Sequence, residues 1–277
     1  MAINKTSFIP KLWEASILRA YENNIIAKQI CHTDFTGEIK KMGDSVTFPG
    51  LAEPTVSKYT NSISYEDLAN ADVTLVVDQQ DYFGFKVSDI IAAQSNINVQ
   101  GSQTERAGYR LRDACDKYVL GLHAQAGGSV TNAAVTSANV ISAIGEMNQK
   151  LDEANVPNEQ KWIVIPPWVK LKLMLAGIKF SIKEGSGAGD GTEWTKELGF
   201  NLYVSNNVAV SSDSSSYCLG GSKGAIAFAD QLTKVRAMEL EDTFDVGVSG
   251  LHVYGAKVIK PAELVKGVFK AGAETSI

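Results

Sequence analysis

The sequence predicts an α+β protein that combines extended segments with one long helix and a block of mixed helices and strands. Three observations predict this class. Two strand-like segments flank a long polar connection between residues 44 and 87, apolar residues recur at helical spacing through residues 103–126, and short helices and strands alternate from residue 131 onward. A chain of 277 residues, 44% of them hydrophobic, has enough apolar surface for a sizeable core.

Charge and cysteine content argue against several classes of protein. The 26 basic and 31 acidic residues give a net charge of −5, whereas a typical nucleic-acid-binding domain carries a strong basic excess. Cys31, Cys115 and Cys218 are odd in number and far apart, which argues against a disulfide framework and favours a reducing cytoplasm. The sequence shows neither the apolar segment of a signal peptide nor an apolar run of about 18 residues, so we expect no membrane partner.

Residues 1–43 are predicted to form an N-terminal arm with one short helix. Trp13, Ile17, Ala20 and Tyr21 make a narrow apolar stripe on that helix. Residues 31–37 are polar and rich in turn-forming side chains, so the sequence leaves Cys31 open to exposure.

An extended hairpin is predicted for residues 44–87. Residues 44–49 alternate like a strand and end at Pro49-Gly50, and strand character resumes over 73–77 and continues through 83–87. The polar connection of roughly 20 residues between them is longer than most loops of compact domains, and such loops are commonly functional. Because a two-stranded ribbon is marginally stable alone, we expect a neighbouring subunit to cover its apolar side.

Residues 103–126 predict a long helix that ends at Gly127-Gly128. The apolar residues at helical spacing are Ala107, Leu111, Ala114, Cys115, Tyr118, Val119 and Leu122. Arg112 with Asp116 and Asp113 with Lys117 are predicted to pair on the solvated face. Cys115 lies on the apolar face, and we expect it to be a buried small hydrophobe.

Residues 131–245 are predicted to form a mixed α/β block. Its predicted helices are one with Val140, Ile144, Met147 and Leu151 on one face and one over 168–175 with Pro167 well placed as its first residue. Its predicted strands are a buried strand over 162–165 and strands over 200–204, 217–219, 225–228 and 234–238. A last strand is predicted over 251–259.

The order of these elements and several sequence strings resemble one family. The strings are FIPKLW at residues 8–13, GDSVTFP at 43–49, YEDL at 65–68, DQQDYFGFKV at 78–87 and YGAKVIKP at 254–261. They resemble the major capsid proteins of tailed bacteriophages, which have the Hong Kong 97-type fold. The resemblance implies an N-terminal arm (1–43), an extended hairpin loop (44–87), a peripheral domain with a long spine helix (88–130 and 246–277) and an axial α/β domain (131–245).

The resemblance also implies a function without enzyme activity. Copies of the chain would form the hexamers and pentamers of an icosahedral shell that encloses double-stranded DNA in the virion. Assembly would take place in the host bacterial cytoplasm, with a portal protein and a separate scaffolding protein as partners. The residues expected at intersubunit contacts are Val46, Phe48, Tyr59, Tyr65, Val73 and Leu75 in the extended loop, and Gly185, Gly187, Gly189 and Asp190 in an axial-domain loop.

Signals for other chemistry are weak. The glycine-rich residues 185–191 lack the Lys-Ser or Lys-Thr of a phosphate-binding loop. His32, His123 and His252 have no metal-ligand spacing, so no metal or other cofactor is predicted. The acidic residues of the segment 239–245 are predicted to form a solvated turn, although such a cluster could also set register against a basic patch on a neighbour.

Three rival interpretations stay open at this point. A cellular nanocompartment of the same fold would enclose a protein cargo in place of DNA. An enzyme, for example a nucleotide-dependent one, would need a convergent polar pocket within residues 131–245. A tail-tube or other phage structural protein would form open helical tubes and not closed shells.

Overall fold

The structure, a computed structural model, describes residues 25–33, 43–48, 58, 72–88, 99–176, 199–239 and 245–273. The described helices are α1 (Ala27–Ile30), α2 (Val99–Gly121), α3 (Val140–Glu153) and α4 (Pro167–Leu175). The described strands are β1 (Ser45–Phe48), β2 (Val73–Val76), β3 (Gln79–Ser88), β4 (Gly128–Val135), β5 (Lys161–Ile165), β6 (Asn201–Val204), β7 (Ser216–Ser222), β8 (Ile226–Glu239), β9 (Asp245–Val258) and β10 (Leu264–Ala271). These strands form a two-stranded, a three-stranded and a five-stranded sheet.

The three-stranded sheet is antiparallel, with β9 between β3 and β8. The sequence predicts that residues 83–87 continue the extended hairpin, whereas the structure pairs them with β9, because Phe83 packs against the core that lies under α2. The sequence also predicts two short strands within residues 225–238. The structure instead has β8 as one strand of 14 residues, with a register shift between Leu232 and Lys234.

The two-stranded sheet is the base of the predicted hairpin. β1 and β2 are antiparallel, with Ser45 opposite Val76 and Phe48 opposite Val73, as the alternation of both segments predicts. The inner side of β2 packs on one face of the three-stranded sheet, where Leu75 is fully buried. Gly255 permits this close approach, because a Cβ at that position would lie 2.6 Å from the carbonyl oxygen of Val76.

The long helix α2 packs on the opposite side of the same sheet. It begins four residues before the predicted start, and its last predicted turn is a separate 3₁₀ helix, Leu122–Gln125. Leu111, Cys115 and Val119 are buried in the main core cluster, so the predicted apolar face is confirmed. The 3₁₀ geometry tightens the end of the helix before the chain turns into β4.

The five-stranded sheet has the order β4-β10-β7-β5-β6 and carries α3 and α4. Every residue of β5 is buried: the continuous apolar run predicts this for residues 162–165, whereas the burial of Lys161, which is paired with Asp152, is not predicted. The strands β4 and β10 are not predicted from the sequence. β10 lies between β4 and β7, so the end of the described chain belongs to this sheet, whereas the resemblance groups residues 246–277 with the spine helix.

Residues 25–33 form a short segment that packs under α2, while residues 1–24 of the predicted arm lie outside the described part of the chain. Ile30 and Cys31 are fully buried in the main core cluster, so the expectation that Cys31 is open to solvent is wrong. His32 then forms a parallel bridge with Ala227 at the start of β8. Backbone hydrogen bonds of His32 with Ile226 and Phe228 explain how this polar stretch is held against β8 while Cys31 is buried.

Candidate assembly surfaces

The residues predicted at intersubunit contacts divide into two groups. Val46 and Phe48 are partly buried at the hairpin base, Val73 is half-buried at the start of β2, and Leu75 lies in the protein's own core. Leu75 packs with Val77, Ala227, Ala229 and Val253, so its burial has an intrachain cause. The other predicted contacts, Tyr59, Tyr65, Gly185, Gly187, Gly189 and Asp190, lie outside the described residues.

A groove lies on the outer face of the three-stranded sheet beyond the hairpin base. It has a volume of about 360 Å³ and is lined by Tyr82, Arg236, Ser249, Gly250 and Leu251. Tyr82 is 82% exposed, an unusual state for an aromatic side chain in a strand. Directly opposite pairs such as Tyr82 with Leu251 and Ser249 with Arg236 place these side chains on one face.

The predictions at residue level do not include Tyr82, although a signal for it is present. Phe83 and Phe85 alternate with Tyr82 along β3, and their stacked rings lie 6.1 Å apart between centroids. Because successive side chains of a strand point to opposite faces, the packing of the partly buried Phe83 against the core puts Tyr82 on the outer face. An exposed aromatic residue beside an arginine is typical of interface centres.

The N-terminal segment is attached to α2 through Asp116. One carboxylate oxygen of Asp116 accepts a hydrogen bond of 2.9 Å from the backbone N–H of Ala27, and the other lies 3.5 Å from the backbone nitrogen of Ile26. This carboxylate therefore caps the start of α1 from a different element. Burial raises the pKa of Asp116 from 3.8 to about 6, although the two backbone contacts act in the opposite direction.

A second polar cluster lies in the interior between α2, β8, β9 and the N-terminal segment. Cys115 Sγ lies 3.7 Å from His252 Nδ1, and Asp230 Oδ2 lies 3.5 Å from His252 Nε2 and 3.2 Å from Lys28 Nζ. Burial pushes the pKa of Asp230 upward, but His252 and Lys28 beside it hold that pKa below its usual value.

A cysteine beside a histidine that also contacts an aspartate is the arrangement of a nucleophilic catalytic site when a cleft exposes these side chains. Here Cys115 is 0%, His252 1% and Asp230 4% exposed, so a substrate has no access to this cluster. The arrangement instead neutralises buried charge where the N-terminal segment meets the sheet. The cluster is consequently a structural contact between four elements of the chain.

His123 and the two ends of the predicted acidic turn lie in the described part of the chain. His123 Nδ1 lies 3.1 Å from the carbonyl oxygen of Leu120, and its ring stacks on Tyr217 at 4.2 Å. Among the residues that the structure describes, no group of three or more His, Cys, Asp or Glu side chains could hold a metal ion. Glu239 is the last residue of β8 and Asp245 is the first residue of β9, and the acidic residues between them lie outside the described part.

Within the described ranges, no helix is both long enough and apolar enough to cross a membrane.

Comparisons with known proteins identify similar sequences and structures. A family model described as "Phage capsid protein" matches residues 72–267. A solved structure from Mycobacterium phage Che8 is 25% identical, covers 88% of this chain and 91% of its own, and has a TM-score of 0.70. The capsid structure of cyanophage P-SCSP1u is 14% identical, with coverages of 90% and 89% and a TM-score of 0.68. A virus-like particle from Pyrococcus furiosus is 14% identical, with coverages of 94% and 99% and a TM-score of 0.61. No curated protein sequence matches this chain.

Proposed function

We propose how this chain builds a shell, on the premise that it belongs to the phage capsid protein family and is a major capsid protein of a tailed phage. The α+β capsid fold of Hong Kong 97 type that the sequence predicts is confirmed. Our finer proposal is that copies assemble as hexamers and pentamers into an icosahedral shell that encloses double-stranded DNA. The match over residues 72–267 carries this proposal, because it includes the long helix, the whole three-stranded sheet and all of the five-stranded sheet except the end of β10.

The geometry of the hairpin supports a contact between neighbouring subunits. The base of the hairpin is held on its own sheet by Leu75 and Val77, and the residues from 49 to 72 connect its two strands. A ribbon of two strands needs a further apolar surface to be stable. The groove beside Tyr82 is such a surface, because it lies on a sheet face and combines an aromatic ring with Leu251. In our proposal, residues 49–72 of one subunit lie across this groove of the next, with Tyr59 and Tyr65 at the contact.

Further partners follow from the same proposal. The axial-domain loop with Gly185, Gly187, Gly189 and Asp190 would contact its symmetry mates around each hexamer and pentamer. A separate scaffolding protein and a portal protein would take part in assembly in the host cytoplasm, and the protein would end in the virion. Many modest contacts repeated by closed symmetry would make the shell stable while misplaced subunits can still dissociate.

Deletion of residues 51–70 tests the role of the hairpin. The variant replaces them with a short Gly-Ser linker, so that β1 and β2 can still pair. We expect a soluble protein with the wild-type circular dichroism spectrum that forms no closed particles in electron micrographs. Shells of normal shape from this variant would overturn the proposed contact.

The same micrographs and particle contents test the shell itself. Uniform icosahedral particles from the wild-type chain support the proposal, and open tubes or monodisperse monomers contradict it. Particles from an infected host that hold double-stranded DNA agree with a phage shell. Particles that hold a protein cargo and no DNA would favour the nanocompartment interpretation.

A further inference from the structure

The outward face of α2 carries a row of basic side chains that the proposed shell contacts do not use. Arg106, Arg110 and Lys117 are exposed along one side of the helix, opposite the side that packs on the sheet. Residues four apart in a helix are separated by about 6 Å along its axis. Arg106 and Arg110 therefore present two guanidinium groups at nearly the same angle, one turn apart.

The charge of this face is positive although the whole chain is acidic. Asp113 lies on the same side, but its carboxylate is paired with Lys117 at 2.8 Å. Glu105 is the other exposed acidic residue near the row. The guanidinium of Arg112 lies 4.4 Å from the centre of the Tyr109 ring, which is 51% exposed. This contact adds a third guanidinium group and an aromatic surface at the edge of the row.

We propose that the two arginines of this basic row, Arg106 and Arg110, bind the phosphodiester backbone of the enclosed DNA, so that α2 lines the inner wall of the shell. The inference rests on the proposed function, which supplies the DNA. Arginine presents a planar fork of donors that matches phosphate oxygens. One strand of a duplex carries a phosphate for about every 3.4 Å of axis, so neighbouring arginines one turn apart can reach phosphates of one strand.

The small number of cations fits the task of a container. Contacts to phosphates carry no sequence information, so every part of a genome can occupy the same row. Two contacts per subunit are weak singly and sensitive to salt, and the net charge of −5 keeps the rest of the chain from binding phosphates. DNA would thus be held near the wall by many copies and would still slide during packaging.

Binding of the soluble, full-length wild-type chain to a fluorescein-labelled duplex of 20 base pairs tests this inference. Affinity is measured by fluorescence anisotropy at several NaCl concentrations. With two phosphate contacts, affinity is expected to fall about 12-fold between 50 and 200 mM salt, and without them it should depend little on salt. The variant Arg106→Gln with Arg110→Gln should show the smaller fall and weaker binding at low salt, for duplexes of any sequence.

Two controls separate this effect from loss of folding or of general charge. The variant Arg106→Lys with Arg110→Lys keeps both charges and should retain the salt dependence of the wild type. The double variant Lys223→Gln with Lys257→Gln removes two exposed charges outside α2. It should also retain the salt dependence of the wild type. Equal thermal unfolding curves show that each variant is folded.

The outcomes for the basic row and for the shell are distinguishable. Unchanged binding by the double glutamine variant, or no binding by the wild type at 50 mM salt, overturns the inference. Failure of that variant to form shells while its DNA binding stays at the wild-type level also overturns it, and assigns the row to a neighbouring subunit. Absence of shells from the wild-type chain counts against the proposed function, whatever the binding data.

Discussion

Replacement of Asp116 by asparagine is expected to remove a pH dependence from the stability of the fold. The carboxyl of Asp116 is 3% exposed and contacts the backbone nitrogens of Ile26 and Ala27. Asparagine has nearly the same shape, and its side-chain oxygen can still accept the bond from Ala27. The substitution thus removes a titrating group and keeps the cap on α1.

The sign of the effect follows from the direction of the pKa shift. The pKa is raised from 3.8 to about 6 in the folded chain, so the folded state binds a proton that the unfolded state has released. The associated stability is fully present below the unfolded pKa and is lost as the pH rises through about 6. One pKa unit corresponds to about 1.4 kcal/mol, so wild type should gain about 2 kcal/mol relative to the variant between about pH 7.5 and 4.5.

Urea unfolding of the unassembled, full-length chain measures this difference. Wild type and Asp116→Asn are unfolded at several pH values across that range, and the difference between their unfolding free energies is plotted against pH. All other titrating groups are common to both proteins and cancel in the difference. A flat plot would refute the reasoning, because it would mean that Asp116 has the same pKa in the folded and unfolded chain.

Two further substitutions test how the hairpin base and the N-terminal segment are attached to the three-stranded sheet. Leu75→Ala should lower the free energy of unfolding by about 2–5 kcal/mol, because it opens a cavity under the hairpin base. Val76→Ala on the 47% exposed side of β2 is the matched control, with an expected loss of about 1 kcal/mol or less, and equal losses would contradict the assigned faces. Asp230→Ala should lower the free energy of unfolding by about 1–3 kcal/mol, because it removes the buried carboxylate that contacts His252 and Lys28. A loss below about 1 kcal/mol would show that the cluster does not stabilise the fold.

Elements with a strong local period are predictable from the sequence. The helix α3 buries Val140, Ile144, Met147 and Leu151, the four residues whose spacing predicts it. Pro167 begins α4, as expected from its fixed φ angle and missing N–H. In these elements the packing partner needs only an apolar surface, so the pattern within the element is sufficient.

Elements that depend on distant partners are not predictable in this way. β8 is a single strand across Asp230 and Gln231, two polar residues that divide its sequence into apparent pieces. Asp230 is tolerated inside because Lys28 and His252, about 200 and 20 residues away in the chain, neutralise it there. The burial of Cys31 has a similar origin, since backbone bonds to the start of β8 hold its segment. No local window of sequence contains such information.

The sequence indicates the hairpin as a candidate surface, but it does not indicate which part of the protein the base of the hairpin packs on. The alternation of β1 and β2 predicts an apolar side, and the natural inference is that another subunit covers it. The structure shows that the strands' own sheet covers Leu75, which leaves the predicted intersubunit contact to the residues beyond the base. The exposed position of Tyr82 becomes evident only when β3 is paired with β9.

The N-terminal segment and the hairpin base are both attached to the beginning of β8. His32 bridges to Ala227 through the backbone, and Leu75 packs against the side chains of Ala227 and Ala229. The N-terminal segment and the hairpin base therefore leave the folded body from adjacent points with fixed directions. Because these attachments form when the subunit folds, the residues that make them lose little further conformational freedom on association. A weakened attachment, as in Leu75→Ala, should consequently slow shell formation even at subunit concentrations where the chain stays folded, and time-resolved light scattering would detect the delay.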